Sequence, residues 1–170
     1  MRSLVTVLLA ASLSAPALAQ TKPDFSGTWK LNREKSDPPP QMAGGPEGRP
    51  GSAPGANPMQ DVSLYITQFE SKLIIEQKMG EQTRMLTYYL DGRESTNPAM
   101  RGNEMKTMSR WDDVSLVTEG ENRFNSPMGE MKVKSKETRT LSEDGKTMTV
   151  VSTFTTPQGE RTRKAVYDKQ

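Results

Sequence analysis

The chain of 170 residues contains no cysteine and no histidine, and its aromatic residues are few: two Trp, four Tyr and four Phe. Those absences exclude disulfides, a thiol nucleophile, an imidazole base and the usual nitrogen and sulfur zinc sites. Triad hydrolysis of the Ser-His-Asp kind goes with them. A dominant charge sign is missing too, with 23 Lys and Arg against 21 acids and a formal charge of +2. That balance is too even for a dedicated nucleic-acid surface. Long hydrophobic runs are also lacking. The one apolar stretch, Leu4 to Leu13, is interrupted by Thr6 and Ser12, about half of the roughly 20 residues that span a bilayer.

That short run has a different meaning. Arg2 precedes it, and Ala17-Leu18-Ala19 follows as a small-residue cleavage site before Gln20, the pattern of a secretory signal peptide over residues 1–19. The expected location is periplasmic or extracellular. The remaining chain, 20–170, is expected to be a single domain and a monomer, close to neutral, with no stable membrane insertion after cleavage. No cysteine is present to carry a lipid anchor.

Residues 37–60 hold seven of the twelve prolines, and half of the segment is Pro or Gly. Too few apolar side chains are available there to offset ordering entropy, so a disordered or polyproline-like loop is expected. Its prolines fall mainly four apart at Pro46, Pro50, Pro54 and Pro58, which fits a P-x-x-P docking motif poorly. From Asp61 onward short β-prone runs alternate with turn residues. The runs are 62–69, 72–79, 83–90, 104–111, 114–119, 131–141, 146–156 and 160–168, with longer connections near 98–102 and 122–129. No segment keeps helical spacing over three turns. Eight consecutive strands, with 26–32 as a further one, leave exposed edges and an uncovered face unless the sheet closes. The expected fold is therefore all-β, an antiparallel up-and-down barrel of eight or nine strands with the Pro/Gly-rich loop after the first.

Alternation assigns an inner face. Lys132, Lys134 and Lys136 occupy one face of their strand, so Val133, Ser135, Glu137, Arg139 and Leu141 point inward. The same test places Val62, Leu64, Ile66, Leu73, Ile75, Gln77, Arg84, Leu86, Tyr88, Met105, Thr107, Ser109, Trp111, Val114, Leu116, Thr118, Met148, Val150, Ser152 and Phe154 inside. Unpaired polar groups in a packed core cost about 1 to 3 kcal/mol each. A mixed interior therefore indicates water or ligand within, or polar residues at the barrel mouths.

Phe25-Ser26-Gly27-Thr28-Trp29-Lys30-Leu31 carries a Gly-x-Trp on the first strand, Leu90-Asp91-Gly92 follows, and the chain ends Val166-Tyr167-Asp168-Lys169. Residues 24–170 thereby resemble the calycins, and within them small secreted bacterial lipocalin-like proteins with features of the fatty-acid-binding branch. The resemblance implies a binding protein for a small, largely apolar molecule or lipid. It gives Gly27 and Trp29 a structural role at the closed end, with Arg161 or Arg163 as the cation stacked on Trp29. The last-strand Arg-x-Tyr carboxylate clamp of the fatty-acid-binding branch is incomplete: Tyr167 matches, but Ala165 stands at the Arg position. The expected cavity wall comprises Leu64, Ile66, Arg84, Leu86, Tyr88, Met105, Arg139, Met148, Phe154, Arg163 and Tyr167. Arg84, Arg139 or Arg163 are candidates for a replacement charge, while an Arg139 pair with Glu137 or a neighbouring acid is the plainer account.

Eleven methionines raise soft-metal binding at Met105-x-x-Met108 and Met128-x-x-Met131. Residues three apart on a strand face opposite ways, so methionine is expected as flexible apolar filler and no metal or other cofactor is implied. Asp112-Asp113 and Glu143-Asp144 read as turn formers. Glu137 is the one acid on an inward face of a central strand, and no enzyme activity is expected. The alternative to a carrier is a filled barrel acting through its outer surface or Pro-rich loop.

Overall fold

A computed structural model describes residues 21–38, 62–99, 103–126, 129–156 and 159–170. The expected leader and nearly all of the Pro/Gly-rich segment lie outside the described residues, as do Met128 and the side chain of Met131. The described chain is all-β, with strands β1 (Gly27–Asn32), β2 (Val62–Gln68), β3 (Lys72–Met79), β4 (Gln82–Tyr89), β5 (Asp91–Pro98), β6 (Glu104–Asp112), β7 (Ser115–Ser126), β8 (Gly129–Leu141), β9 (Thr147–Thr156) and β10 (Gly159–Lys169). All lie in one antiparallel sheet of order β4-β3-β2-β1-β10-β9-β8-β7-β6-β5. β1 pairs with both β2 and β10, joining the two halves of the meander.

The expected barrel is thus present, with ten strands rather than eight or nine. The additional one is β5, Asp-Gly-Arg-Glu-Ser-Thr-Asn-Pro. It has no apolar alternation because the residues it turns inward are Ser95 and Asn97, both buried. β7 and β8 also run straight through the expected 122–129 connection, paired from Leu116↔Arg139 to Ser126↔Gly129. Their outward faces oppose Glu119 to Lys136 and Glu121 to Lys134, and such opposite-charge pairs support strands whose outer face is wet. Val114, expected inside, is exposed. Asp112 pairs with Ser115, so Asp113 and Val114 form a two-residue hairpin loop. Asp113 takes the positive φ of 55° that this tight turn requires.

Inward alternates from every side fill one end of the barrel. Phe25, Trp29, Leu73, Leu116 and Met148 have no exposed surface there, and Ile66 and Leu90 are nearly as buried. The segment before β1 closes that end. Gln68 accepts from the Phe25 amide at 3.0 Å and donates to Pro23 O at 3.0 Å. Trp29 Nε1 donates to Phe25 O at 2.9 Å, and the Phe25 ring stacks on Trp111 at 5.9 Å. The cation over Trp29 is Lys169, 5.3 Å from the ring centroid, rather than Arg161 or Arg163. Register explains the correction: Trp29 pairs directly with Lys169, whereas Arg161 and Arg163 pair with Phe154 and Ser152, well up the barrel.

Gly27 is required by two features. Its φ is +135°, and a Cβ there would lie 2.7 Å from Lys169 Cε. Replacing it with alanine forces both backbone strain and a shift of the lysine off Trp29. The expected cost is about 1 to 3 kcal/mol, read as a lower denaturant midpoint with unchanged β-type circular dichroism.

Candidate functional site

Away from the plugged end the inward side chains no longer meet across the barrel. They line an open cavity of about 890 Å³. Its apolar wall comes from Leu64, Ile75, Leu86, Val133, Val150 and Phe154, and its polar wall includes Gln77, Arg84, Asn122, Ser135, Glu137 and Arg139. Tyr88, Met105 and Tyr167 complete the expected contributors. Three expected wall residues are placed elsewhere. Ile66 and Met148 do not line the cavity and are buried in the hydrophobic core with Phe25 and Trp29. Arg163 is half-buried beside the site without lining the cavity, and its Nε has no hydrogen-bond partner.

Pro98, Ala99, Asn103 and Asn122 also line the space. They were not expected, because β5 and the far half of β7 carry no apolar alternation. The methionine pair Met105 and Met108 splits as strand geometry demands: Met105 lines the cavity and Met108 is exposed.

Much of the polar interior needs no ligand. Ser109 and Thr118 hydrogen-bond to each other at 2.8 Å on adjacent strands. Asn97 Nδ2 reaches Thr107 Oγ1 at 3.4 Å. These groups are satisfied within the wall, which removes the penalty for burying them. The mouth position expected as an alternative does not account for them, since all four are buried.

Arg139 is different. It is 4% exposed, and Nη2 pairs with Glu137 Oε1 at 2.5 Å. Residues two apart on a strand share a face, so this ion pair follows from the sequence spacing. Ser152 Oγ donates to Glu137 Oε2 at 3.3 Å, and the guanidinium lies 5.2 Å from the Tyr88 ring centroid. Nε and Nη1 of Arg139 remain without hydrogen-bond partners. Burial opposes the charge, but Glu137, Tyr88 and Tyr167 outweigh it and hold the guanidinium firmly protonated.

Burial also raises both phenols. Tyr88 is pushed above its ordinary range, with Arg139 opposing. Tyr167 is pushed up to about 12 by burial and by Glu137, against Arg139 and Arg163. Both remain O–H groups at neutral pH. Tyr167 therefore makes an alkaline prediction. An unfolded chain loses this proton near 10 and the folded chain near 12, so stability present below pH 10 falls as pH rises. The loss reaches about 2 kcal/mol at pH 12. Urea midpoints between pH 9 and 12 check it, with Tyr167→Phe expected to flatten the decline.

Plugged at one end, walled by alternate side chains and hollow above, the molecule has an antiparallel up-and-down β-barrel fold. No family model matches the chain, and no curated protein matches its sequence. Solved structures do match. Zebrafish ileal bile acid-binding protein complexed with cholic acid has a TM-score of 0.53 at 16% identity, covering 86% of this chain and 98% of that one. A fatty acid transporter, REP1-NXSQ, gives 0.55 at 11% identity over 86% and 96% of the two chains. The N57A mutant of the fluorescent protein UnaG gives 0.53 at 14% identity over 86% and 96%. At these identities the likeness is one of fold.

Proposed function

We propose that this protein is a non-enzymatic carrier that holds one small, largely apolar molecule inside its barrel. It acts as a monomer, exported to the periplasm or extracellular space after loss of residues 1–19. The observation that carries the binding role is the cavity of about 890 Å³, with a mostly apolar wall and the unpartnered N–H groups of a buried Arg139. Volumes of this order accommodate drug-sized ligands, and a few polar groups within an apolar wall fix orientation. The two similar structures named for bile acid binding and fatty acid transport support the same reading. A filled barrel working only through its surface fits less well, because the interior is not filled.

Titration with Nile red, an uncharged apolar fluorophore, tests the proposal. Saturable enhancement at one dye per chain is expected. Leu86→Trp, which narrows the cavity from β4, is expected to weaken binding at least about tenfold, or 1.4 kcal/mol. Absence of any dye response, together with a solvent extract free of co-purifying lipid, would overturn it. Export is tested separately by mass spectrometry of the secreted chain, whose first residue should be Gln20.

A further inference from the structure

The cation in the cavity already has an anion. Glu137 and Arg139 face the same interior from β8, and their ion pair is closed before any ligand arrives. Glu137's second oxygen is held by Ser152 from β9. The other charged or titratable groups on the inward faces around it include Arg84 and Tyr88 of β4 and Arg161, Arg163 and Tyr167 of β10. Neither Arg84 nor Arg163 forms an ion pair with Glu137 among the described residues. Arg163 lies across Ser152 in the same row, outside the cavity wall. The deep polar end of the site is thus a neutral pair, with hydrogen-bond donors to spare at Arg139 Nε and Nη1.

We propose that Glu137 determines the ligand class: the cavity takes amphiphiles whose polar end is an uncharged acceptor, a carbonyl, ester or hydroxyl oxygen, in preference to the corresponding carboxylates. This rests on the carrier reading above. An ionised carboxylate entering the cavity loses its water and needs a compensating cation. Arg139 cannot supply one in full, because Glu137 sits against the same guanidinium and repels a second carboxylate at close range, and Arg84, the other cation of the wall, stands four residues along β4 from the Tyr88 that lies against Arg139, about 13 Å away at the strand rise. A neutral oxygen meets no such repulsion. It needs only an N–H donor, and Arg139 has unpartnered ones. Such a preference departs from the acids named for two of the similar structures.

Three probes differing only at the head decide the matter: dodecanoic acid, its methyl ester and dodecanol, each displacing Nile red at pH 8. The wild type is expected to bind the ester and the alcohol at least about tenfold tighter than the acid, the scale of one like-charge contact in a partly desolvated site. Glu137→Gln frees the Arg139 charge and should reverse the order in favour of the acid. A readout without substitution accompanies it. Calorimetry in two buffers of different ionisation enthalpy should show proton uptake when the wild type binds the acid, and none when it binds the ester. Acid bound as tightly as ester by the wild type, without proton uptake, overturns the assignment to Glu137 and leaves the carrier reading intact. Failure of every probe including Nile red overturns the carrier reading itself.

Discussion

Trp29→Ala is expected to destabilise the protein by about 3 to 5 kcal/mol, the range for removing a fully buried large aromatic side chain. The ring has no exposed surface and joins three separate parts of the chain. Its N–H holds Phe25 O at 2.9 Å, and Phe25 in turn covers the barrel end by stacking on Trp111. Its face carries Lys169 from the last strand. Alanine leaves a cavity at the plugged end and frees the carbonyl that positions Phe25. Trp29→Phe keeps most of the apolar area and loses the hydrogen bond, so its expected cost is smaller, about 1 to 2 kcal/mol. Urea unfolding at unchanged m-value measures both. A Trp29→Ala loss below about 1 kcal/mol would show that the end is held by something other than this ring.

How much of this could be read from the residues depends on which kind of information each feature uses. β2 places Val62, Leu64 and Ile66 on one face, and β8 alternates lysines with inward groups, so local pattern alone reveals those strands. The Glu137 and Arg139 pair is equally local, since two residues apart means one face. β5 fails the same test. Its buried positions are Ser95 and Asn97, which are satisfied by bonds to other strands, and nothing in the neighbouring sequence marks those bonds. Choosing Lys169 over Arg161 or Arg163 required the register of β1 on β10, a long-range quantity. Separating Ile66 and Met148 from the cavity wall required the packing across the barrel, since their row partners Ile75 and Tyr167 do line the cavity. Alternation gives the face of a residue but not its depth, so Pro98, Ala99, Asn103 and Asn122 entered the site unannounced.

Asn97→Ala is expected to open the seam between β4 and β5, where the barrel lacks a ladder among the described residues. β4 and β5 are consecutive strands, yet they stand at the two edges of the sheet with no backbone pairing between them. Asn97 bridges that seam. Its Oδ1 accepts from the Thr87 amide at 2.6 Å and its Nδ2 donates to Thr87 O at 2.8 Å. The carboxamide thus makes both bonds that a neighbouring peptide group would make. Ser95 Oγ accepts from the Tyr89 amide at 2.9 Å one step further along. Asn97 is 1% exposed, so alanine strands a buried donor and a buried acceptor on Thr87 at about 1 to 3 kcal/mol each. A total of roughly 2 to 5 kcal/mol follows, softened to the extent that water enters the seam. Asn97→Asp discriminates between loss of packing and loss of bonding. It keeps the shape and the acceptor but sets a carboxylate oxygen against Thr87 O, so it should be at least as damaging as alanine where the carboxyl is ionised and milder as the pH falls and the acid can donate. Amide hydrogen exchange gives the local signature: Thr87 and Tyr89 should lose protection ahead of the β9 and β10 amides in Asn97→Ala. Uniform loss of protection across the sheet would mean that the seam does not open separately and that its side-chain bonds belong to the same cooperative unit as the ladders.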